Sequence, residues 1–252
     1  MMQPQIELFR DDYRLHEKVS AKARNIRLEV RPGGDVVLVY PRFVARAEAM
    51  AFLRAREPWV RQKLIELQAR EARQERPPPL RWDGSGCVPL RGAMVPVRVE
   101  AARLRTGQVR IADEGITVFA GSAALRAPDK LSQLLAGALR TQARSDARRY
   151  LDDEALRLSV KPRALRLNDA HTLWGSCNPS GTICLSWRLV MAPAAVFRYV
   201  AVHELCHLVH RNHSARYWSL VERQMPDYEM HKRWLREHGA GLHLHLPAAR
   251  RG

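Results

Sequence analysis

Val202-His203-Glu204-Leu205-Cys206-His207-Leu208-Val209-His210-Arg211-Asn212-His213 holds His-Glu-x-x-His, with a further histidine six residues on. On a helix, positions i and i+4 lie on one face, so His203 and His207 aim two imidazoles at one point. Glu204 sits about 100° around the helix from His203, within reach of a water on a metal without ligating it. Two nitrogens do not complete a zinc site that keeps one position open, so a third protein ligand is required. His213 is the first candidate, because Arg211-Asn212 can end the helix and turn the chain back, and Asn tolerates the left-handed conformation. His210 competes with it, from a shorter arc after His207. In metzincins a glycine stands where this chain has His210, so the turn must be made differently. The alternative to a metal site is an amphipathic helix with satisfied or solvent-facing histidines.

The surroundings favour a metal helix. Val196, Tyr199, Val200 and Val202 make it largely apolar, and Pro193 stands where a first helical residue is expected. Upstream, 163–190 reads as strands: Ala164–Asn168, then Thr172–Cys177, a turn at Asn178-Pro179-Ser180-Gly181, and a return over Thr182–Leu189. Downstream, Ser214 is placed to cap a helix over 215–225 that Pro226 ends. Asp227 is placed to cap one over 228–238 that Gly239 ends.

The rest of the chain reads outward from there. Residues 5–10 and 25–40 read as strands, the latter a hairpin about Pro32-Gly33-Gly34-Asp35. Residues 44–72 read as helix, broken near Glu57 by Pro58. A charged run, Glu66 to Arg76, leads into Pro77-Pro78-Pro79, a stiff connector. Short strands punctuated by glycine over 86–119 suggest an antiparallel meander continuing the first hairpin's sheet. Asp129 to about Leu158 reads as one long helix. The expected regions are therefore 1–76 (strand, hairpin and helix), 77–127 (meander), 128–240 (catalytic core) and 241–252 (basic tail).

Composition sets limits. The 252 residues are 46% apolar, enough to bury a core. No apolar run reaches the ~20 residues that span a bilayer, and Met1 to Asp12 lack a signal-peptide core, so the expectation is a cytoplasmic protein without a membrane partner. Cys87, Cys177, Cys184 and Cys206 show no CxxC spacing, which argues against a disulfide framework and a cysteine-based zinc site. The net charge of +16 suits nucleic acid or acidic substrates, or reflects a compositional bias toward arginine, which is spread along the chain. Oligomeric state is not legible.

The sequence resembles the YgjP-like metallopeptidase family, related in its core to SprT-like and minigluzincin-type zincins. The residues that carry the resemblance are Leu173-Trp174-Gly175-Ser176-Cys177, Ile183-Cys184-Leu185-Ser186-Trp187-Arg188-Leu189, His203-Glu204-Leu205-Cys206-His207-Leu208, Asn212-His213-Ser214, Tyr217-Trp218 and Met225-Pro226-Asp227-Tyr228. It spans about 25–239. It implies an α+β fold with a zincin-like core: a small, mostly antiparallel sheet beside the metal helix and the cleft between them, with an N-terminal hairpin and helix region. It implies Zn2+ held by His203, His207 and His213, with Glu204 as catalytic carboxylate acting on a peptide or protein substrate. Tyr228 is the candidate oxyanion donor, since a turn after Met225-Pro226 could bring it back toward the metal; a packing role in the first turn of its helix is the competing reading. Strand 182–188 is a candidate to pair with an extended substrate. SprT relatives act on DNA-crosslinked proteins, so a nucleic-acid-associated protein, protease or binder with structural zinc, is the second function considered.

Overall fold

The computed structural model describes residues 13–31, 34–73, 77–112, 114–170 and 173–246. The strand expected at 5–10, Pro32-Gly33 of the hairpin turn, Thr172 and the end of the basic tail, 247–252, lie outside them. The chain divides into two compact units between Glu75 and Arg76.

In the first unit, β1 (Arg14–Ser20), β2 (Arg27–Arg31) and β3 (Asp35–Pro41) form a sheet in the order β1-β3-β2. β2 and β3 are the expected hairpin; β1 adds a parallel neighbour on the other side of β3. Val36, Leu38 and Tyr40 alternate onto one face and share a core with Ala49, Met50 and Leu53 of α1 (Arg46–Ala55) and Val60 and Leu64 of α2 (Glu57–Arg73). The break between the helices falls at Arg56, one residue before the expected Glu57. Pro58 lies in the first turn of α2, where the missing N–H has no intrahelical partner to lose.

The second unit begins with β4 (Cys87–Leu90), β5 (Ala93–Ala101), β6 (Gln108–Ala112) and β7 (Gly115–Ala120), in the order β4-β5-β7-β6. This corrects the expected meander. The sheet is separate from the N-terminal hairpin, and β5 pairs with β7 in parallel, so the chain skips a neighbour there. After a single turn, α3 (Ser122–Leu125), comes the 31-residue α4 (Pro128–Leu158). Pro128 opens it, and Ser159 closes it in the left-handed conformation at φ 52°. Leu131, Leu135, Leu139, Ala143, Ala147 and Leu151 repeat every four residues and are buried.

The third sheet places the candidate site. β8 (Ala164–Asn168), β9 (Gly175–Cys177) and β10 (Thr182–Ser186) lie in the order β8-β10-β9. β10 pairs in parallel with β8 and antiparallel with β9, so the sheet is mixed rather than mostly antiparallel. The return strand stops at Ser186, and Trp187–Met191 winds into a 3-10 helix instead of extending to Leu189. Ser186 starts that turn by accepting a hydrogen bond from the N–H of Arg188 at 3.4 Å. Then come α5 (Ala194–Cys206), α6 (Ala215–Gln224) and α7 (Tyr228–Leu242). α7 runs through Gly239 rather than ending there. A Cβ on Gly239 would lie 2.8 Å from Cζ2 of Trp174, so this glycine serves a close approach, not a stop. Both sheets of this unit, α4 and α5–α7 share one apolar core. The fold is a mixed α+β one, and no helix among the described residues is long and apolar enough to cross a membrane.

Candidate metal centre

The candidate centre is built at the end of α5. Pro193 immediately precedes the helix rather than opening it. Glu154 of α4, fully buried, accepts hydrogen bonds from Arg198 of α5 at 2.6 Å and from Gln224 of α6 at 2.6 Å, tying three helices together. α5 stops at Cys206, earlier than Arg211-Asn212 suggested. The turn is closed by N–H donors of Leu208 to Leu205 and of Val209 and His210 to Cys206. None of residues 207–214 takes a positive φ, so the left-handed conformation expected of Asn212 is not used. Arg211 anchors the loop by donating to the carbonyl of Pro179 at 3.3 Å.

This turn brings the third histidine back. One ring nitrogen from each of His203, His207 and His213 lies within 4.8 Å of the others, the one such group among the described residues. Nε2 of His213 stands 3.2 Å from Nε2 of His203. Two nitrogens sharing a tetrahedral zinc at 2.0–2.1 Å are expected roughly 3.3 Å apart. Nδ1 of His207 donates to the carbonyl of His210 at 3.2 Å, which leaves Nε2 of His207 with its lone pair. His210 thus contributes a carbonyl and its ring lies outside the cluster. Nδ1 of His203 is buried without a hydrogen-bond partner among the described residues.

Electrostatics favour neutral imidazoles at His203 and His207. Burial, then His207, His213 and Lys232, hold His203 down at about 3. Burial also lowers His207, against its bond to the His210 carbonyl and with help from His213. Three converging imidazole nitrogens suit a divalent cation of zinc type. Glu204 lies beside them, 4% exposed, and burial pushes its carboxyl up to about 8. β9 runs against α5 here: a Cβ on Gly175 would sit 2.5 Å from Oε1 of Glu204.

Aromatic rings wall the group. Trp218 stacks on His213 at 5.6 Å between centroids and on Tyr228 at 5.5 Å; Tyr228 stacks on Tyr199 at 6.4 Å, and Tyr199 meets His203 edge-on at 6.0 Å. Tyr228 therefore joins the wall at the first residue of α7, two rings from His213. Asp227 does not cap α7 with its side chain; its carboxylate pairs with Nε2 of His231 at 3.1 Å. Ser214 likewise stands at the cap of α6 without a side-chain bond.

Two contributions were not singled out from the sequence. Gly175 stood inside the Trp-Gly-Ser-Cys segment, expected as a whole to pack near the site, with no role of its own, and Tyr217, four residues after His213, read only as part of the resemblance. The placement of β10 also differs from expectation. It lies between β8 and β9, so both of its edges are already paired and it cannot take up a further strand. Among the described residues, the edge of this sheet nearest Glu204 belongs to β9 and pairs with no further strand.

The YgjP-like, metallopeptidase domain family model matches residues 24–238. No curated protein and no solved structure matches the chain. The three gathered histidines could hold the metal that the family's name implies, and with a match over most of its length the chain belongs to the YgjP-like metallopeptidase domain family.

Proposed function

We propose that this chain is a zinc-dependent peptidase with a zincin-like core. His203, His207 and His213 would hold the ion, and Glu204 would move the proton. The observation that carries the proposal is a buried carboxylate next to three converging imidazoles, beside the free edge of a sheet. A bound zinc ion would polarise the scissile carbonyl and bring the pKa of a water toward neutrality.

The chain's own groups supply the rest. An Oε of Glu204 takes the proton from the attacking water and passes it to the leaving amine nitrogen. The surroundings of Glu204 suit this proton transfer, because a buried carboxyl that titrates near neutrality both takes and gives a proton there. The charge of a bound dication would draw that value down from about 8. Tyr228 is the proposed hydrogen-bond donor to the developing oxyanion, with its ring held by Trp218 and Tyr199.

The substrate's extended backbone would lie along β9. Ser186 donates to the Trp174 carbonyl at 2.9 Å, and Asn178 donates to the Thr182 carbonyl at 3.1 Å. Antiparallel strands alternate, so residues 174, 176 and 178 bond inward to β10. Gly175 and Cys177 then turn their N–H and C=O outward, toward a peptide.

Glu204→Gln tests the proposal. The variant should keep a stoichiometric zinc ion and lose hydrolysis in a proteome-wide cleavage comparison with wild type. Unchanged cleavage would remove Glu204 from the mechanism, and wild-type protein that binds no zinc would remove the metal site.

The net charge of +16 favours one further reading, a DNA-associated peptidase or a binder with structural metal. A structural site normally closes with a fourth protein ligand and has no use for Glu204. Binding to duplex DNA across a salt series checks the association: affinity should fall steeply with salt, and an absent or salt-independent signal ends this reading.

A further inference from the structure

We infer that Tyr217 is a positioning residue that holds all three imidazoles in the arrangement the metal requires. The inference rests on the metal-site reading above. Tyr217 comes from α6, the helix after the loop that returns His213, and it is fully buried. Its ring stacks on His207 at 4.7 Å and 26°. It meets His213 at 4.8 Å and 80°, and His203 at 5.3 Å and 78°. One side chain therefore touches every member of the cluster.

The need for such a residue follows from the histidine side chain. The second torsion of histidine is broad, so a ring on a fixed backbone still sweeps its Nε2 through an arc. A metal set needs that arc closed before the ion arrives. His207 is fixed on one side by the bond from Nδ1 to the His210 carbonyl and on its face by Tyr217. His213 stands on an exposed loop, and its walls are Trp218 on a face and Tyr217 at an edge.

The hydroxyl acts separately from the ring. It donates to the backbone carbonyl of His203 at 2.9 Å. That carbonyl lies in the last turn of α5, where helical carbonyls run out of partners. The bond ties the end of α5, and with it the spacing between His203 and His207, to α6. Ring and hydroxyl thus fix the orientation of the imidazoles and the backbone that carries them.

A core residue that only fills space would affect stability and leave the metal untouched. The test separates the two. Zinc affinity is measured by competition with a chromophoric chelator, and the visible spectrum is recorded with cobalt(II) in place of zinc. Circular dichroism verifies that each metal-free variant is folded. Tyr217→Phe, which keeps the ring and loses the hydroxyl, should bind zinc about three- to tenfold more weakly. Tyr217→Leu should lose roughly 10–100-fold, the range seen when groups that orient ligands are removed, and should alter the cobalt(II) bands. Affinities within twofold of wild type in the folded Phe variant, with an unchanged cobalt(II) spectrum, overturn the inference even if the Leu variant does not fold. Absence of zinc binding by the wild type would instead overturn the metal-site reading itself.

Discussion

Gly175 and Glu204 are in contact across the space a side chain would fill. A Cβ built on Gly175 would lie 2.5 Å from Oε1, 2.8 Å from Cγ and 2.9 Å from Cδ of Glu204. Gly175 has no positive φ, so its backbone does not require glycine; the carboxylate does. Glu204 is 4% exposed and has little room to retreat. Gly175→Ala should therefore push the carboxylate off its position while the sheet survives, at a cost of about 1–3 kcal/mol for the overpacking. The expected result is normal zinc content with peptide hydrolysis reduced by roughly 100-fold, the scale of a misplaced catalytic group. Full activity in the Ala variant would mean that the carboxylate's position is not critical.

The same burial predicts a dependence on pH in the metal-free protein. The folded pKa of Glu204 is raised to about 8 from an ordinary 4.5. Between those values the folded state holds a proton that the unfolded state has lost. Its contribution to stability is present below 4.5 and disappears as pH rises through 8. Glu204→Gln has no such proton, so its stability should gain on that of wild type from pH 5 to pH 8. Urea unfolding of both metal-free proteins across that range measures the difference. His203 works in the other direction: with a folded value near 3, its contribution is present above 6.5 and is lost as pH falls toward 3. It is common to both proteins and cancels in the comparison. A constant gap would show that Glu204 titrates normally.

The sequence made some of this legible and concealed the rest, for physical reasons. Helices with strong periodicity or a proline break, α4 and the α1–α2 pair, stood within a few residues of their places. The spacing of His203 and His207 is a property of the helix alone, so it could be read without the fold. The route of the chain to His213 could not. Asn212 suggested a left-handed turn, but the helix had already ended at Cys206 through hydrogen bonds no local pattern announces. Glycine misled in a consistent way. Gly239 looked like a helix stop and Gly175 like an ordinary member of the strand over 172–177, yet each makes room for a large neighbour, Trp174 and Glu204, that arrives from elsewhere in the chain. The turn at 178–181 marked a returning strand over 182–189, but such a signal carries no information on which strand is central, and β10 proved to be so.

Arg188 sits at the opposite extreme from a surface arginine. It is fully buried, and its guanidinium pairs with both carboxylate oxygens of Asp169. It also donates to the carbonyls of Leu242, His245 and Leu246, the chain just at and beyond the end of α7. Burial raises the Asp169 carboxyl, but hydrogen bonds and charge from Arg188 outweigh it, so the carboxylate is held below its usual range. Removing the guanidinium would leave a half-buried carboxylate and three carbonyls without their donor. Arg188→Met should cost about 3–5 kcal/mol in urea unfolding. Arg188→Lys should recover little of it, since one ammonium cannot reproduce the planar fork. A lysine variant as stable as wild type would reduce the role of Arg188 to its charge.

The edge of β9 gives a prediction in which neighbouring residues behave oppositely. By the alternation set at Trp174 and Asn178, the N–H of Ser176 points into the ladder with β10 and that of Cys177 points away from it. Proline lacks this N–H and is tolerated in sheets only where the ladder does not use it. Ser176→Pro should therefore damage the fold, seen as a lowered unfolding midpoint and poor zinc retention. Cys177→Pro should leave the ladder and the three histidines in place. If the substrate backbone pairs with this edge, the Cys177 variant loses one hydrogen bond to it, and KM should rise about tenfold while kcat changes less. N-methylation of the partner residue in a peptide substrate should produce the same loss in wild type and little further loss in the Cys177→Pro protein. If neither Cys177→Pro nor N-methylation of the peptide raises KM, the peptide does not bind along β9.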